Sequence, residues 1–262
     1  MIILKNLAHI EKIRRSCKLV AEGLSRLSEM SQPGITTMEL DTWAENFCYK
    51  NKAEPAFKGY KNYPFTLCTS VNSEIVHGMP RESTLAKGDI LSIDFGVLLD
   101  GFYGDSAITI PIGNVKKEAS RLIRVGQECL YQGIRQAYKN NRLNNISYAL
   151  QTYAEKHGYS VVRKFVGHGV GAELHEDPQI PNYTNKPGEG IQLKPGMVIA
   201  IEPMIMEKDH KAETKRNGWT VVTADGGLAA HWEHTVLITE EGTEILTSRK
   251  GKEFYELPNN RT

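Results

Sequence analysis

The stretch SIDFGVLLDGFYGDS, residues 92–106, constrains the fold of this 262-residue chain more than any other. Two carboxylates, Asp94 and Asp105, sit inside runs of apolar and β-branched residues that read as strands. Burying an unpaired charge is costly, so a fold that buries these strands has to neutralise both acids. Asp100 makes no such demand, because Asp100-Gly101 is a favoured two-residue hairpin turn. With that turn, or with a four-residue loop, side-chain alternation places Asp94 and Asp105 on one face. Like charges that close repel, and their coexistence requires either protonation of one or a cation between them.

Three other segments offer partners. His168 lies in FVGHGVG, Glu202 ends the apolar run MVIAIEP, and Glu233 is embedded in HWEHTVLI. Two aspartates, two glutamates and one imidazole form a mostly hard-oxygen set suited to two divalent ions with bridging carboxylates. A structural zinc site would instead need four closed ligands rich in Cys or His, and Cys17, Cys48, Cys68 and Cys129 have the wrong spacing for it. Taken singly, a strand-borne acid is more often an edge or ion-pair residue, and a lone histidine more often a hydrogen-bonded core residue. GHGVGAELHEDPQIP also imitates a nucleotide-binding turn, but Pro178 and Pro181 interrupt the helix that would cradle a phosphate.

The chain reads as though written twice. Apolar residues at Ile10, Ile13, Cys17, Val20, Leu24 and Leu27 have helical spacing, and Gln32-Pro33-Gly34 ends that helix. TTMELDTWAENFCYKN predicts a second helix, opened by Thr36 with Glu39 three residues on. Strands are expected around FTLCTSV and DILSIDFGV. The order then returns: EASRLIRVGQECLYQGIRQAY is helical, ISYALQTYAEKHG is a second helix ending at Gly158, and YSVVRKFV is strand-like. LAKGDILSID at 85–94 echoes LKPGMVIAIE at 193–202, which gives Asp94 and Glu202 matching places. The period is too long for a solenoid and predicts two related α+β halves with a site at their junction.

Composition narrows the classes. With 32 basic and 31 acidic side chains the formal charge is +1, so no general field favours nucleic acid or an anionic membrane. The opening MIILKNLAHIEKIRR meets charge too early for a secretory signal, and no apolar run reaches the ~20 residues needed to span a bilayer. Four scattered cysteines suit free thiols in a reducing compartment, and a cytoplasmic protein is expected.

The order Asp94, Asp105, His168, Glu202, Glu233, within SIDFGVLLDGFYGDS, GHGVG, AIEP and WEHT, resembles the methionine aminopeptidases of the type I, bacterial kind, from the first helices to about Thr247. The resemblance implies the α+β pita-bread fold: one catalytic domain over 1–262, with pseudo-twofold halves of about 1–112 and 113–250 and a dinuclear metal site at the centre. It implies a hydrolase that removes the N-terminal methionine of nascent proteins when the second residue is small, by attack of a metal-bridged hydroxide on the first peptide bond. Asp94 and Asp105 would hold one metal, His168 and Glu202 the other, with Asp105 and Glu233 bridging; Glu202 would also transfer the proton. The metal is expected to be Co, Mn or Fe.

By the same resemblance, His77 in IVHGMP and His175 in ELHEDP contact the substrate backbone in catalysis, whereas His175 alone reads as bonding a neighbour such as Glu176 or Asp177. Tyr60, Tyr63, Cys68 and Trp219 would line the methionine pocket, although aromatics beside Pro64 equally suit plain loop packing. Lys61 stands where several relatives have histidine, and Leu174 where some have phenylalanine. His231 and His234 flank Glu233, and alternation together with the family pattern sets both aside as ligands. The expected partners are peptide and nascent-protein N-termini, with the ribosome, and the expected state is a monomer.

Related proline-specific peptidases carry an additional domain ahead of the catalytic one, and here the residues before Asp94 are used by the first half. Type II methionine aminopeptidases insert a helical segment between the last two glutamates, for which residues 203–232 are too few. A non-enzymatic protein on this scaffold typically loses ligands, and all five are present.

Overall fold

The computed structural model describes residues 2–249 and the backbone of Glu253–Glu256. Residue 1 and residues 250–252 and 257–262, the outer margins of the expected 1–262 domain, lie outside the described residues.

Two helices open the chain, α1 (Leu7–Met30) and α2 (Thr37–Lys50). Every apolar position that predicts α1 is buried along one face. The helix begins three residues before Ile10 because the Asn6 side chain accepts from the His9 N–H at 2.9 Å. In α2 the Thr36–Glu39 capping box forms as expected, with the Thr36 N–H donating to Glu39 Oε2 at 2.7 Å and the Glu39 N–H to Thr36 Oγ1 at 3.0 Å. Five strands follow: β1 (Glu54–Pro55), β2 (Leu67–Val71), β3 (Glu74–Val76), β4 (Ile90–Leu99) and β5 (Phe102–Pro111). A short 3-10 turn, Tyr60–Asn62, precedes β2.

The second stretch repeats the order, with helices α3 (Lys117–Ile134) and α4 (Leu143–Lys156), and Gly158 at φ +82° just past the end of α4. Its strands are β6 (Ser160–Val161), β7 (Val166–Gly169), β8 (Glu176–Pro181), β9 (Val198–Ile201), β10 (Met204–Met206), β11 (Ala212–Thr214), β12 (Val221–Thr223), β13 (Ala229–His231), β14 (His234–Ile238), β15 (Gly242–Ile245) and β16 (Glu253–Glu256). The strand expected over 159–166 is thus two short ones. Val161 pairs with Ile205 in one sheet and Val166 with Pro181 in another, so Arg163 and Lys164 cross between sheets and are exposed.

The hairpin of β4 and β5 is paired from Ile90–Pro111 to Leu99–Phe102 around the two-residue turn. Asp100 at φ 51° and Gly101 at φ 78° have the left-handed geometry that matches strand twist. Asp105 lies opposite Gly96 and Asp94 opposite Ala107, so the two acids share a face. The larger sheet is antiparallel in the order β16-β15-β14-β9-β7-β8. One apolar core joins residues of both stretches, including Phe95 from β4, Leu130 from α3 and Ile201 from β9.

A seam of buried hydrogen bonds fastens the hairpin to the second stretch. Ser106 Oγ donates to the Glu233 carbonyl at 2.6 Å, and the Glu233 N–H donates to the Ala107 carbonyl at 3.0 Å. Thr235 Oγ1 donates to the Asp105 carbonyl at 2.7 Å. Among the described residues no helix is long and apolar enough to cross a membrane.

Candidate metal centre and peptide pocket

The seam brings the five acid and imidazole side chains singled out from the sequence to one place. Asp94 and Asp105 come from the β4–β5 hairpin, His168 from β7, Glu202 from the residue after β9, and Glu233 from the residue before β14. Asp105, His168 and Glu233 each offer one ligand atom, and these lie within 4.8 Å of one another. His168 Nε2 is 3.5 Å from Glu202 Oε1 and 3.9 Å from Asp105 Oδ2.

The electrostatics of the cluster are unfavourable on protein charges alone. Burial pushes the Asp94 carboxyl up to about 7, although a hydrogen bond with Asp105 works the other way. Burial, followed by Glu233 and Asp94, pushes Asp105 well above the carboxylate range. Glu202 rises through burial and then Asp94 and Asp105, and Glu233 through burial and then Glu202 and Asp94. Among the described residues no lysine or arginine pairs with any of the four; His168 and His231 are the basic groups beside them. Asp94 Oδ1, Asp105 Oδ1 and Glu233 Oε1 are buried without a hydrogen-bond partner. Orphaned oxygens in an uncompensated acid cluster fit divalent cations, which supply both the missing charge and the missing contacts.

The imidazole fits the same role. His168 Nδ1–H donates to the Gly169 carbonyl at 2.9 Å, which leaves the Nε2 lone pair facing the acids. Burial holds this ring neutral, with its pKa lowered to about 4 although the Gly169 contact works the other way. A neutral imidazole anchored by its second nitrogen is the ordinary form of a metal-binding histidine.

Above the acids opens a cavity of about 300 Å³, walled by Phe57, Tyr60, Tyr63, Cys68, Leu174 and Trp219, with His77 and His175 at its sides. Every pocket residue expected from the sequence therefore lines it. Tyr63 Oη donates to the Leu67 carbonyl at 2.9 Å, which satisfies its polar atom, and its ring meets Trp219 edge-on at 4.9 Å. Cys68 is a neutral thiol, raised by burial and then by Asp94.

His175 does not bond a neighbouring acid. Its Nδ1 lies 2.9 Å from the Tyr60 hydroxyl, its ring stacks on Tyr60 and lies 4.2 Å from that of His168. Glu176 is taken instead by Lys5 in a buried ion pair from the N-terminal segment. Although His175 is exposed on one side, desolvation by the groups packed around its ring lowers its pKa to about 3, with His168, Lys61 and His77 adding to it. His77 adopts φ 56°, a strained conformation for a residue with a β-carbon, and burial followed by Lys61 lowers it to about 4. Both rings are therefore neutral hydrogen-bonding groups near pH 7.

One residue set aside in the sequence lies at the cluster. His231 Nε2 is 3.8 Å from Glu202 Oε2. His231 ends β13 and His234 opens β14, so the chain between them leaves one sheet for another and alternation along a single strand does not fix their sides. His234 does point elsewhere, with its Nδ1 2.8 Å from Thr247 Oγ1. Lys164 and Phe165 also line the cavity, and no sequence signal marked them, because they lie in the crossover that breaks the expected strand.

Similarity to known proteins agrees with this geometry. The sequence profile of metallopeptidase family M24 matches residues 11–240. The methionine aminopeptidase of Clostridium perfringens is 51% identical over 94% of this chain and 99% of its own. Methionine aminopeptidase 1 of Bacillus subtilis is 49% identical over 94% of this chain and 99% of its own. The crystal structure of the Thermotoga maritima methionine aminopeptidase superposes with a TM-score of 0.93 at 44% identity, covering 95% of this chain and all of that one.

Proposed function

Because the chain belongs to metallopeptidase family M24, and within it to the methionine aminopeptidases, we propose that it removes the N-terminal methionine of peptides and nascent proteins whose second residue is small. The observation that supports this reading is a cluster of four acids with three orphaned oxygens at the floor of a pocket with aromatic and apolar walls. Asp94, Asp105, His168, Glu202 and Glu233 would hold two divalent ions, with Co, Mn or Fe as the metal. When bound, such ions make water nucleophilic at neutral pH and polarise a peptide carbonyl.

The chain's own groups supply the rest. Phe57, Tyr63, Cys68 and Trp219 form a wall that accepts a thioether and excludes water. His77 and His175, both neutral, hold the scissile peptide by hydrogen bonds and stabilise charge on its carbonyl oxygen. Glu202 carries the proton to the leaving amine through a carboxylate oxygen beside His168. The two stretches, about 1–112 and 113–250, are read as duplicated halves of one catalytic domain, acting as a monomer on chains leaving the ribosome in the cytoplasm.

The test is chelated protein, reconstituted with each divalent metal in turn, assayed on Met-Ala-Ser. Turnover that returns with metal supports the reading, and its absence with every metal overturns it. We predict that Met-Arg-Ser is cleaved about 10²-fold more slowly than Met-Ala-Ser in kcat/KM, a size typical of steric exclusion. Equal rates would remove the small-residue specificity.

A further inference from the structure

Glu202 is flanked by two imidazoles, one at each oxygen. His168 Nε2 stands 3.5 Å from Oε1, and His231 Nε2 stands 3.8 Å from Oε2. The two rings are not equivalent. His168 Nδ1 is anchored on the Gly169 carbonyl, which orients its Nε2 lone pair toward the acids. His231 Nε2 is buried with no hydrogen-bond partner, in a residue only 1% exposed.

The backbone of His231 is held firmly. Its N–H donates to Thr109 Oγ1 at 2.9 Å, its carbonyl accepts from the same hydroxyl at 2.7 Å, and it pairs with Met204 across β10 and β13. These contacts are made by the main chain and do not themselves call for an imidazole at this position. A buried polar nitrogen is normally paired, and the nearby acid oxygen is Glu202 Oε2. A shift of roughly 1 Å by either side chain brings the two into hydrogen-bond range.

We propose that His231 is a positioning residue for Glu202: its Nε2–H donates to Oε2 and holds the carboxylate so that Oε1 stays on the side of His168 and the other acids. This assignment rests on the reading of Glu202 as the proton-transferring acid of the metal site. One oxygen is then fixed by an imidazole N–H while the other remains free to exchange a proton. Loss of the donor leaves Glu202 free to rotate.

The experiment compares the metal-loaded protein with His231→Leu, which fills the space without a donor, and His231→Gln, which restores an N–H. Three quantities are read: kcat and KM on Met-Ala-Ser, and metal stoichiometry by calorimetry on chelated protein. For H231L the expected result is a fall in kcat of about 10–100-fold, as for other residues that orient a metal-site group. KM should stay within about threefold, since no substrate contact is lost. Metal stoichiometry should be unchanged. H231Q should recover most of kcat. Should H231L not fold, as judged by circular dichroism, H231M makes the same comparison.

Unchanged kcat in H231L, or equal damage in H231Q, would overturn the assignment. A stoichiometry lower by one ion in H231L would also overturn it, by making the ring a ligand instead. If the unaltered protein shows no turnover with any metal, the aminopeptidase reading falls and takes this assignment with it. Normal turnover beside an unaffected H231L removes the assignment alone.

Discussion

The four acids reach one point by two different constructions. Asp94 and Asp105 lie in mid-strand on a hairpin closed by a two-residue turn, and alternation alone puts them on one face. Glu202 and Glu233 lie just outside β9 and β14, whose pairing ends at Ile201–His234, and residues 203–232 run between them through β10 to β13. The first pair is placed by local geometry. The second is placed by the seam, where Glu233 is gripped through Ser106 and Ala107 of the opposite hairpin and the Trp232 N–H donates to the Pro203 carbonyl at 3.2 Å. A shared chemical device therefore depends on short-range contacts on one side and long-range contacts on the other, and substitutions should separate the two.

The largest effect is expected where the constructions meet. Asp105 belongs to the local hairpin, yet its carbonyl receives Thr235 and its carboxyl faces Glu233. We predict that Asp105→Asn lowers kcat/KM on Met-Ala-Ser by about 10⁴-fold or more while the thermal midpoint stays near that of the parent. Turnover retained at saturating metal would break the account of the cluster.

The seam itself can be weakened without touching a side-chain acid. Ser106→Ala leaves the buried Glu233 carbonyl short of a donor, and we expect about 1–3 kcal/mol of stability to be lost in urea, independently of pH. A loss much smaller than that would mean that Glu233 is held by local contacts after all.

A charged clamp elsewhere between the two stretches sharpens the contrast through pH. Glu74 in β3 accepts from Lys215 at 2.7 Å, from the Val71 N–H at 2.9 Å and from Arg81 at 2.9 Å. Burial alone would raise its carboxyl, but Lys215, Val71 and Arg81 outweigh burial and hold it below its ordinary 4.5. A depressed acid stabilises the fold above its unfolded value and ceases to do so as pH falls through the folded value. Glu74→Gln should therefore cost about 1–3 kcal/mol near pH 7, and the difference from the parent should shrink once pH drops below 4.5. A gap that is constant with pH would refute the clamp.

The smallest effect belongs to the turn. Gly101 has φ +78° and open space around it, so Gly101→Ala adds only backbone strain, about 1 kcal/mol. Because the seam also holds β5, activity measured below the melting transition should be unchanged. A large fall in activity would show that the hairpin places Asp94 and Asp105 with no help from the rest of the fold.

The boundary between what could be read and what could not follows the same division. The apolar spacing of α1, the Thr36–Glu39 box of α2 and the Asp100-Gly101 turn each involve residues a few positions apart, so their physics is written in adjacent letters. The hydrophobic surroundings of the four acids marked them as needing neutralisation, by a proton or a cation, because the cost of burying charge does not depend on the topology that buries it. The split of residues 159–166 into β6 and β7 was not readable, since two different sheets compete for one strand-like run. Nor was the pairing of Glu176 with Lys5, which left His175 to Tyr60, or the approach of His231 to Glu202. Sequence by itself determined which residues demand partners, through polarity, periodicity and backbone conformation, all of which act at short range. Tertiary structure alone decided which partner each one meets, because distances across the seam depend on how separate strands are docked, and no local preference encodes that.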